Sequence, residues 1–379
     1  MKTYTICTLP GDGIGPEIMQ EGKKVLSAVE EAGDVSFVCN DALLGGCAID
    51  AARNAGEVLT AFPEKTRTAA QAADAVLLAA VGGPKWDTTD PQAARPEQGL
   101  LGIRKALGLY VNLRPVHAFK ALAEASTLKP DHMKDVDFLI VRELTGGLYF
   151  GKRVTDPARA GAGVDGSIGR YASDACEYSE YEIERVIRWA YEAANRRPRH
   201  RLVSVDKANV LATSRLWRSI AHEMAAEYPR VKSTDMLVDN CAMQLIANPS
   251  QFDVLVTENT FGDILSDEAA QLTGSLGMLA SASIGTGTPL FEPSHGSAPD
   301  IAGRGVANPL AQIGSVALML RYAFGMTHEA AAIEASVEDV LDAGWRTADI
   351  ADASTAQDQV IGTSKMGDEV VAALRHHLA

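Results

Sequence analysis

Phe252-Asp-Val-Leu-Val-Thr-Glu-Asn-Thr-Phe-Gly-Asp-Ile-Leu-Ser-Asp267 is the stretch whose reading decides the fold. Phe252 to Thr257 is apolar and rich in β-branched residues, which predicts a buried strand. The polar triplet Glu258-Asn-Thr260 ends it. Phe261 to Leu272 then reads as a helix, with Ile264 and Leu265 turned inward. Asp263 and Asp267 stand four residues apart, so a helix places both on one face, where they repel. Two accounts fit that spacing. One is an acidic first turn that complements the helix dipole. The other is a seat for a hard divalent cation, Mg²⁺ or Mn²⁺, which carboxylate oxygens suit. Asp239, in Leu237-Val-Asp-Asn-Cys-Ala-Met243, offers a third oxygen.

Strand followed by helix recurs on both sides of this stretch. Thr3 to Leu9 reads as a strand. Pro10-Gly-Asp-Gly-Ile-Gly-Pro-Glu17 turns it into a helix reaching about Ala32, with Pro16 suited to the first turn. The glycines are spaced GxGxG, not the GxGxxG of a dinucleotide fingerprint. A tight turn that lets another segment approach closely is the plainer account. A helix is expected over 60–73 and a fully buried strand over Ala75 to Val81. The loop Gly82 to Asp87 then lies where open α/β sheets bind ligands, beyond a strand's C-terminal end. A polar loop over 88–98, a short helix over 99–107 and a strand over 109–115 follow. After a strand at 136–143, residues 152–170 are Gly- and charge-rich with little periodicity. They predict a functional arm or a dimer-forming hairpin, spanning about 150–175. Ile183, Val186, Ile187 and Ala190 repeat at helical spacing over 179–196. A strand at 201–207, a helix at 213–227 and a strand at 231–239 lead back to the opening stretch. Beyond it, 274–289 reads as a Gly/Ser/Thr-rich connection and 290–302 as a loop rich in special residues. Helices are expected at 309–323, 327–343 and 367–377. The alternation gives an α/β fold.

The totals bound the function. A chain of 379 residues is long enough for two domains. A net charge of −14 argues against nucleic acid or an anionic membrane as partner, but not against a small acidic substrate held by a local Arg cluster. Five scattered cysteines without CxxC spacing predict reduced thiols and a cytoplasmic protein. No signal-peptide pattern follows Lys2.

Arg104, Arg114 and Arg142 each lie at or near the end of an ordered element leading into a polar segment. Converging, they would hold a di- or tricarboxylate through bidentate hydrogen bonds; the alternative for each is a solvated surface position. Tyr149 and Lys207 are candidate proton-transfer groups. A Lys beside a cation has its charged form disfavoured, which makes it a usable base. For Tyr149 the alternative is a half-buried ring with its hydroxyl bonded.

Several motifs together resemble the isocitrate/isopropylmalate dehydrogenase family of metal-dependent, β-decarboxylating dehydrogenases of 2-hydroxy acids. They run from Leu9-Pro-Gly-Asp-Gly-Ile-Gly-Pro-Glu17 through Val81-Gly-Gly-Pro-Lys-Trp86, Asn112-Leu-Arg-Pro115 and Val141-Arg-Glu-Leu-Thr-Gly-Gly-Leu-Tyr-Phe-Gly151. Val205-Asp-Lys-Ala-Asn-Val210, Phe261-Gly-Asp-Ile-Leu-Ser-Asp267 and His295-Gly-Ser-Ala-Pro-Asp-Ile-Ala-Gly303 continue the series. The resemblance implies a two-domain isopropylmalate dehydrogenase-like fold, not a Rossmann dinucleotide fold. Residues 1–109 with 274–379 would make a discontinuous, cofactor-side first domain, and 110–273 a second domain carrying the arm and the dimer interface. Asp239, Asp263 and Asp267 would hold Mg²⁺ or Mn²⁺. Arg104, Arg114 and Arg142, with Asp239, would hold the substrate, and Tyr149 and Lys207 would move the protons. In a homodimer, Lys207 and Asp239 would serve the other subunit's site.

Two features choose within the family. Where isocitrate-specific relatives carry a Ser-bearing segment, Leu100-Leu-Gly-Ile103 presents Leu100, Leu101 and Ile103. That wall suits a branched alkyl group and offers nothing to a third carboxylate. The expected reaction is therefore oxidative decarboxylation of 3-isopropylmalate, with isocitrate, homoisocitrate, tartrate or 3-methylmalate as alternatives. Second, Asp300-Ile301 falls where the adenosine ribose is expected, and a carboxylate there favours NAD over NADP. Glu292 is expected near the nicotinamide ribose and Asn308 near the adenine. His295, Gly296, Ser297, Ala298 and Pro299 complete the cofactor loop. Cys241 reads as a small core residue.

Overall fold

The structure is a computed structural model that describes residues 2–90, 93–123, 128–161 and 165–379. In chain order its strands are β1 (Lys2–Gly11), β2 (Val35–Asp41), β3 (Ala75–Ala80), β4 (Leu109–His117), β5 (Asp137–Glu143), β6 (Arg153–Arg159), β7 (Gly169–Asp174), β8 (Arg201–Asp206), β9 (Lys232–Leu237), β10 (Val254–Thr257), β11 (Ala280–Gly285) and β12 (Leu290–Pro293). One large sheet has the order β2-β1-β3-β12-β11-β4-β5-β10-β8-β9, and β6 pairs with β7 apart from it. Pairing is parallel across β2, β1, β3 and β12, and again across β5, β10, β8 and β9. Between these wings, β11 and β4 run antiparallel to their neighbours. The two ends of the chain thus build one wing, and its middle builds the other.

Parallel strands covered on both faces need apolar side chains on both. Ala75–Ala80 and Val254–Thr257 are buried at every position. One core joins Ile18, Leu77, Ile313, Leu320 and Val370. A second gathers Val205, Cys241, Leu255 and Leu265, and a third Leu9, Leu78, Ile103 and Leu290. No helix among the described residues is long and apolar enough to cross a membrane.

Several elements differ from the sequence reading. The segment 274–289 is not a plain connection: it contains β11, buried over Ala280–Ser283. Its small side chains admit the helix Leu310–Tyr322, whose Gly314 has room for little more than hydrogen beside Ala280. The buried hydroxyls are satisfied internally: Ser281 Oγ donates to the Glu292 carbonyl at 2.9 Å, and Asn112 Nδ2 donates to Ser283 Oγ at 3.1 Å. Leu290–Pro293, expected within a loop, is β12. The helix expected over 60–73 spans only Glu64–Ala72, because Phe62 precedes Pro63 and is steered away from helical geometry. The expected polar loop over 88–98 ends at Pro96, which opens the helix Pro96–Ala106. The strand expected over 231–239 stops at Leu237, and Asp239 lies in the first turn of the helix Val238–Ala247. The last helix begins at Thr363 rather than 367. Strand β2 and the helix Gly46–Ala55 were not foreseen.

In the helix Asn259–Ala270, Leu265 is buried as expected, but Ile264 is 61% exposed. Gly262 sits against the Arg142 side chain, and this contact turns Ile264 outward. The arm is an antiparallel hairpin of β6 and β7 with most side chains exposed. Its residues 162–164, like 91–92 of the polar loop, lie outside the described residues.

Candidate active site

The helix Asn259–Ala270 crosses β5 and β4 and brings its acids to their arginines. Glu258 caps it, accepting the Phe261 N–H at 2.9 Å. Arg142, near the end of β5, is 2% exposed. Its Nε and Nη2 donate to Asn259 Oδ1 at 3.1 and 2.8 Å, and Nη1 donates to Asp263. Arg114 on β4 donates from Nε to Asn112 Oδ1 at 2.8 Å. Its Nη1 reaches Ser266 Oγ at 2.6 Å and Asp267 Oδ1 at 3.0 Å. Arg104, in the last turn of Pro96–Ala106, reaches Glu292 Oε1 on β12 at 2.8 Å. Its Nε is buried with no partner, a donor still looking for an acceptor. The three arginines do converge, and they feel one another. Burial and then the Arg114 charge pull Arg142 down to about 10, which still leaves a cation at neutral pH.

The acids answer this field differently. Burial pushes the Asp263 carboxyl up, but Arg142, Arg114 and the Tyr149 hydroxyl together hold it below the ordinary carboxylate range. For Asp267 burial outweighs Arg114, and the negative charge of Asp263 adds to it, so the net shift is upward. Tyr149 follows β5 on the short turn Gly147–Tyr149 and donates to Asp263 Oδ2 at 2.9 Å. Burial and then the Asp263 charge hold the proton on that hydroxyl.

Lys207 and Asp239 stand apart from this group. Within the chain they pair with each other at 2.5 Å, on exposed surface. Neither forms a hydrogen bond or ion pair with Asp263 or Asp267 among the described residues. Nor, among the described residues, do three His, Cys, Asp or Glu side chains gather there in an arrangement that could hold a metal ion. Asp263 and Asp267 fit a hard cation in donor type and shared face, yet one chain supplies only this pair. Of the expected apolar wall, Leu100 and Leu101 are half-buried, whereas Ile103 is wholly in the core. Cys241 is a core residue, its thiol pushed up to about 12 by burial.

The expected cofactor residues begin on β12, inside the sheet, and continue into a loop that lies against the turns after β1 and β3. The Pro10–Gly15 turn explains its glycines: Gly13, at φ 58°, leaves no room for a Cβ against the Ser297 carbonyl. Ser297 Oγ donates to the Gly82 carbonyl at 2.7 Å. Gly296 faces open space, Ala298 takes φ 38°, and Pro299 and Asp300 are exposed, with Ile301 half-buried. Ser294 Oγ and His295 Nε2 are buried without partners, while His295 Nδ1 faces the Gly296 carbonyl at 2.8 Å. These unpaired polar atoms fit a loop built to receive a polar ligand. Glu292 is engaged by Arg104, and Asn308 donates to Asp349 at 3.0 Å, so both have protein partners in this state.

Asp12, Asn259, Glu143 and Tyr178 went unread. Asp12 accepts N–H bonds from Gly46, Cys47 and Gly82 at 2.8, 2.7 and 2.9 Å, tying three loops together. Asn259 holds Arg142 and, through Nδ2, the Gly146 carbonyl at 3.0 Å. A polar side chain placed just where an apolar strand gives way to a helix was the available signal.

The chain matches the isocitrate/isopropylmalate dehydrogenase family over residues 5–370. It is 54% identical over 371 residues to the 3-isopropylmalate dehydrogenase of Halalkalibacterium halodurans, covering 98% of this chain and 97% of that one. It is 53% identical over 370 residues to that of Xanthomonas campestris, covering 97% and 99%. Among solved structures, isocitrate dehydrogenase from Methylococcus capsulatus aligns with TM-score 0.81 at 35% identity, covering 98% and 99%. A β-decarboxylating dehydrogenase from Thermococcus kodakarensis aligns with TM-score 0.76 at 32% identity, covering 98% and 96%. The α/β architecture is thus one shared end to end with dehydrogenases. The chain belongs to the isocitrate/isopropylmalate dehydrogenase family.

Proposed function

We propose that this chain catalyses NAD-dependent oxidative decarboxylation of 3-isopropylmalate to 4-methyl-2-oxopentanoate and CO₂, a step of leucine biosynthesis. The observation that carries the reading is the set of three buried arginines ranged against paired aspartates beside the half-buried Leu100 and Leu101. The relatives that share its length bear the same activity in their names. Arg104, Arg114 and Arg142 exchange their present acidic partners for the substrate's carboxylates, which match guanidinium geometry. Leu100 and Leu101 meet the isopropyl group. Lys207 takes the hydroxyl proton, and Tyr149, protonated until this step, gives its proton to the carbon that CO₂ leaves and is reprotonated from solvent. Asp263, Asp267 and a second copy's Asp239 would hold Mg²⁺ or Mn²⁺, which would supply electron withdrawal. The loop from Glu292 to Asn308 would hold NAD, which would supply a hydride acceptor. The domain division follows the same reading, with 1–109 and 274–379 on the cofactor side and 110–273 carrying the arm.

The test is NADH formation from 3-isopropylmalate against isocitrate and malate, with and without Mg²⁺. Turnover confined to 3-isopropylmalate and lost on chelation is expected; preference for isocitrate would overturn the substrate. Tyr149→Phe is expected to slow CO₂ release more than hydride transfer.

A further inference from the structure

Behind the site, two buried carboxylates share one hydroxyl. Tyr178 Oη lies 3.2 Å from Glu143 Oε2 and 3.2 Å from Glu258 Oε2, and accepts the Asn259 N–H at 3.0 Å. Glu143 is 0% exposed and Glu258 8%. A phenol has one hydrogen and two lone pairs. It can donate to only one carboxylate. The other would face it oxygen to oxygen, at hydrogen-bond distance, with no hydrogen between. If that second carboxyl carries a proton, every position around Oη is filled: one bond donated, two accepted.

We propose that Glu143, Tyr178 and Glu258 hold one shared proton, and that Tyr178 is thereby a positioning residue for Arg142, Tyr149 and the helix carrying Asp263 and Asp267. Glu143 Oε1 accepts the Thr145 N–H at 2.9 Å and Oε2 the Gly146 N–H at 2.7 Å, fixing the turn that leads to Tyr149. Glu143 also adjoins Arg142 on β5. Glu258 caps the aspartate helix, and Asn259 reaches both Arg142 and Gly146. The shared proton joins strand, turn and helix at one point.

The charges facing the triad do not remove the need for it. Arg185, from the helix Glu180–Arg196, makes a long ion pair with Glu143 at 3.8 Å and lowers its carboxyl, but by less than burial raises it. Arg142 spends its hydrogen bonds on Asn259 and Asp263. The Cys176 thiol and Tyr149 hydroxyl add no positive charge. Lys105, Glu177, Glu182 and Arg185 line an adjoining cavity of about 630 Å³, through which the proton can exchange with solvent. Burial pushes both glutamates above the ordinary carboxylate range, outweighing the N–H groups that bond them. The folded chain therefore keeps a proton that the unfolded chain has released. Stability from this source is whole below the unfolded carboxyl value and falls as pH climbs to the folded one.

Infrared spectroscopy and denaturant titration of the full-length protein test this without any substrate. The wild type is expected to show a neutral-carboxyl band near pH 7 that Glu258→Gln or Glu143→Gln removes. Glu258→Gln is expected to abolish the decline in stability that sets in as pH rises above the ordinary carboxylate range. Tyr178→Phe should move the alkaline limb of kcat by about one pH unit or more while keeping the shape of the acid limb. No neutral-carboxyl band in the wild type would overturn the proposal, as would parallel stability curves for wild type and Glu258→Gln. If one glutamine variant fails to fold, loss or survival of the band in the other still decides. The band and the stability curves do not depend on the substrate reading, so a wrong substrate would leave them unchanged; only the kcat profile rests on that reading.

Discussion

Asp300 stands exposed beyond Ser297, whose hydroxyl ties this loop to Gly82. A carboxylate on an exposed turn can accept from ribose hydroxyls and repels a 2′-phosphate. Asp300→Lys is expected to lower the NAD-to-NADP ratio of kcat/KM by at least about tenfold, worth about 1.4 kcal/mol; initial rates with both cofactors check it. An unchanged ratio would remove Asp300 from cofactor choice. Asp12 works beside this loop, sharing Gly82 with Ser297, by other means. It is 3% exposed, and its three backbone N–H donors belong to the helix Gly46–Ala55 and the loop after β3. Asp12→Ala would orphan all three. The expected loss is about 3 kcal/mol in denaturant unfolding, together with weaker cofactor binding measured directly. The role given to Asp300 comes from its motif. Asp12 was not, because its partners lie in loops distant in sequence and only folding brings them to it.

At the level of elements, the arm has too little of its own to hold it. Two-stranded sheets are marginal in water, and β6 and β7 expose most of their side chains, including Val154. A hairpin of this kind is expected to dock on a second copy. Replacing 153–174 with a short Gly-Ser linker is expected to yield a monomer in sedimentation, with activity lost. An active dimer without the arm would reject this role. The unbroken apolar runs of β3 and β10 were plain in the sequence because both of their faces are buried. β11 was hidden for the opposite reason. It is just as buried, but Ala280, Ser281, Ala282 and Ser283 achieve it by being small and internally bonded, and so resemble a loop. Ile264 was turned the wrong way because helical spacing does not reveal that Gly262 would be pressed against Arg142.

For the whole molecule, the proposed reaction asks for groups that one chain does not bring together. Asp263, Asp267, Tyr149 and the arginines meet at one place, while Lys207 and Asp239 meet only each other. Exposed Met243 lies on the Asp239 helix and exposed Ile264 on the Asp263 helix, and Val210 follows Lys207. A second copy seated here would cover these apolar side chains. A twofold dimer in which each copy lends Lys207 and Asp239 to the other makes a sharp prediction. Lys207→Ala and Asp263→Ala homodimers would each be inactive, since both of their sites lack a group. Unfolded together and refolded in equal amounts, half of the dimers become mixed. Each mixed dimer has one site with both defects and one with neither. About one quarter of wild-type activity should return on statistical pairing. If Lys207 instead served its own chain, each mixed dimer would carry one lesion per site and no activity would return.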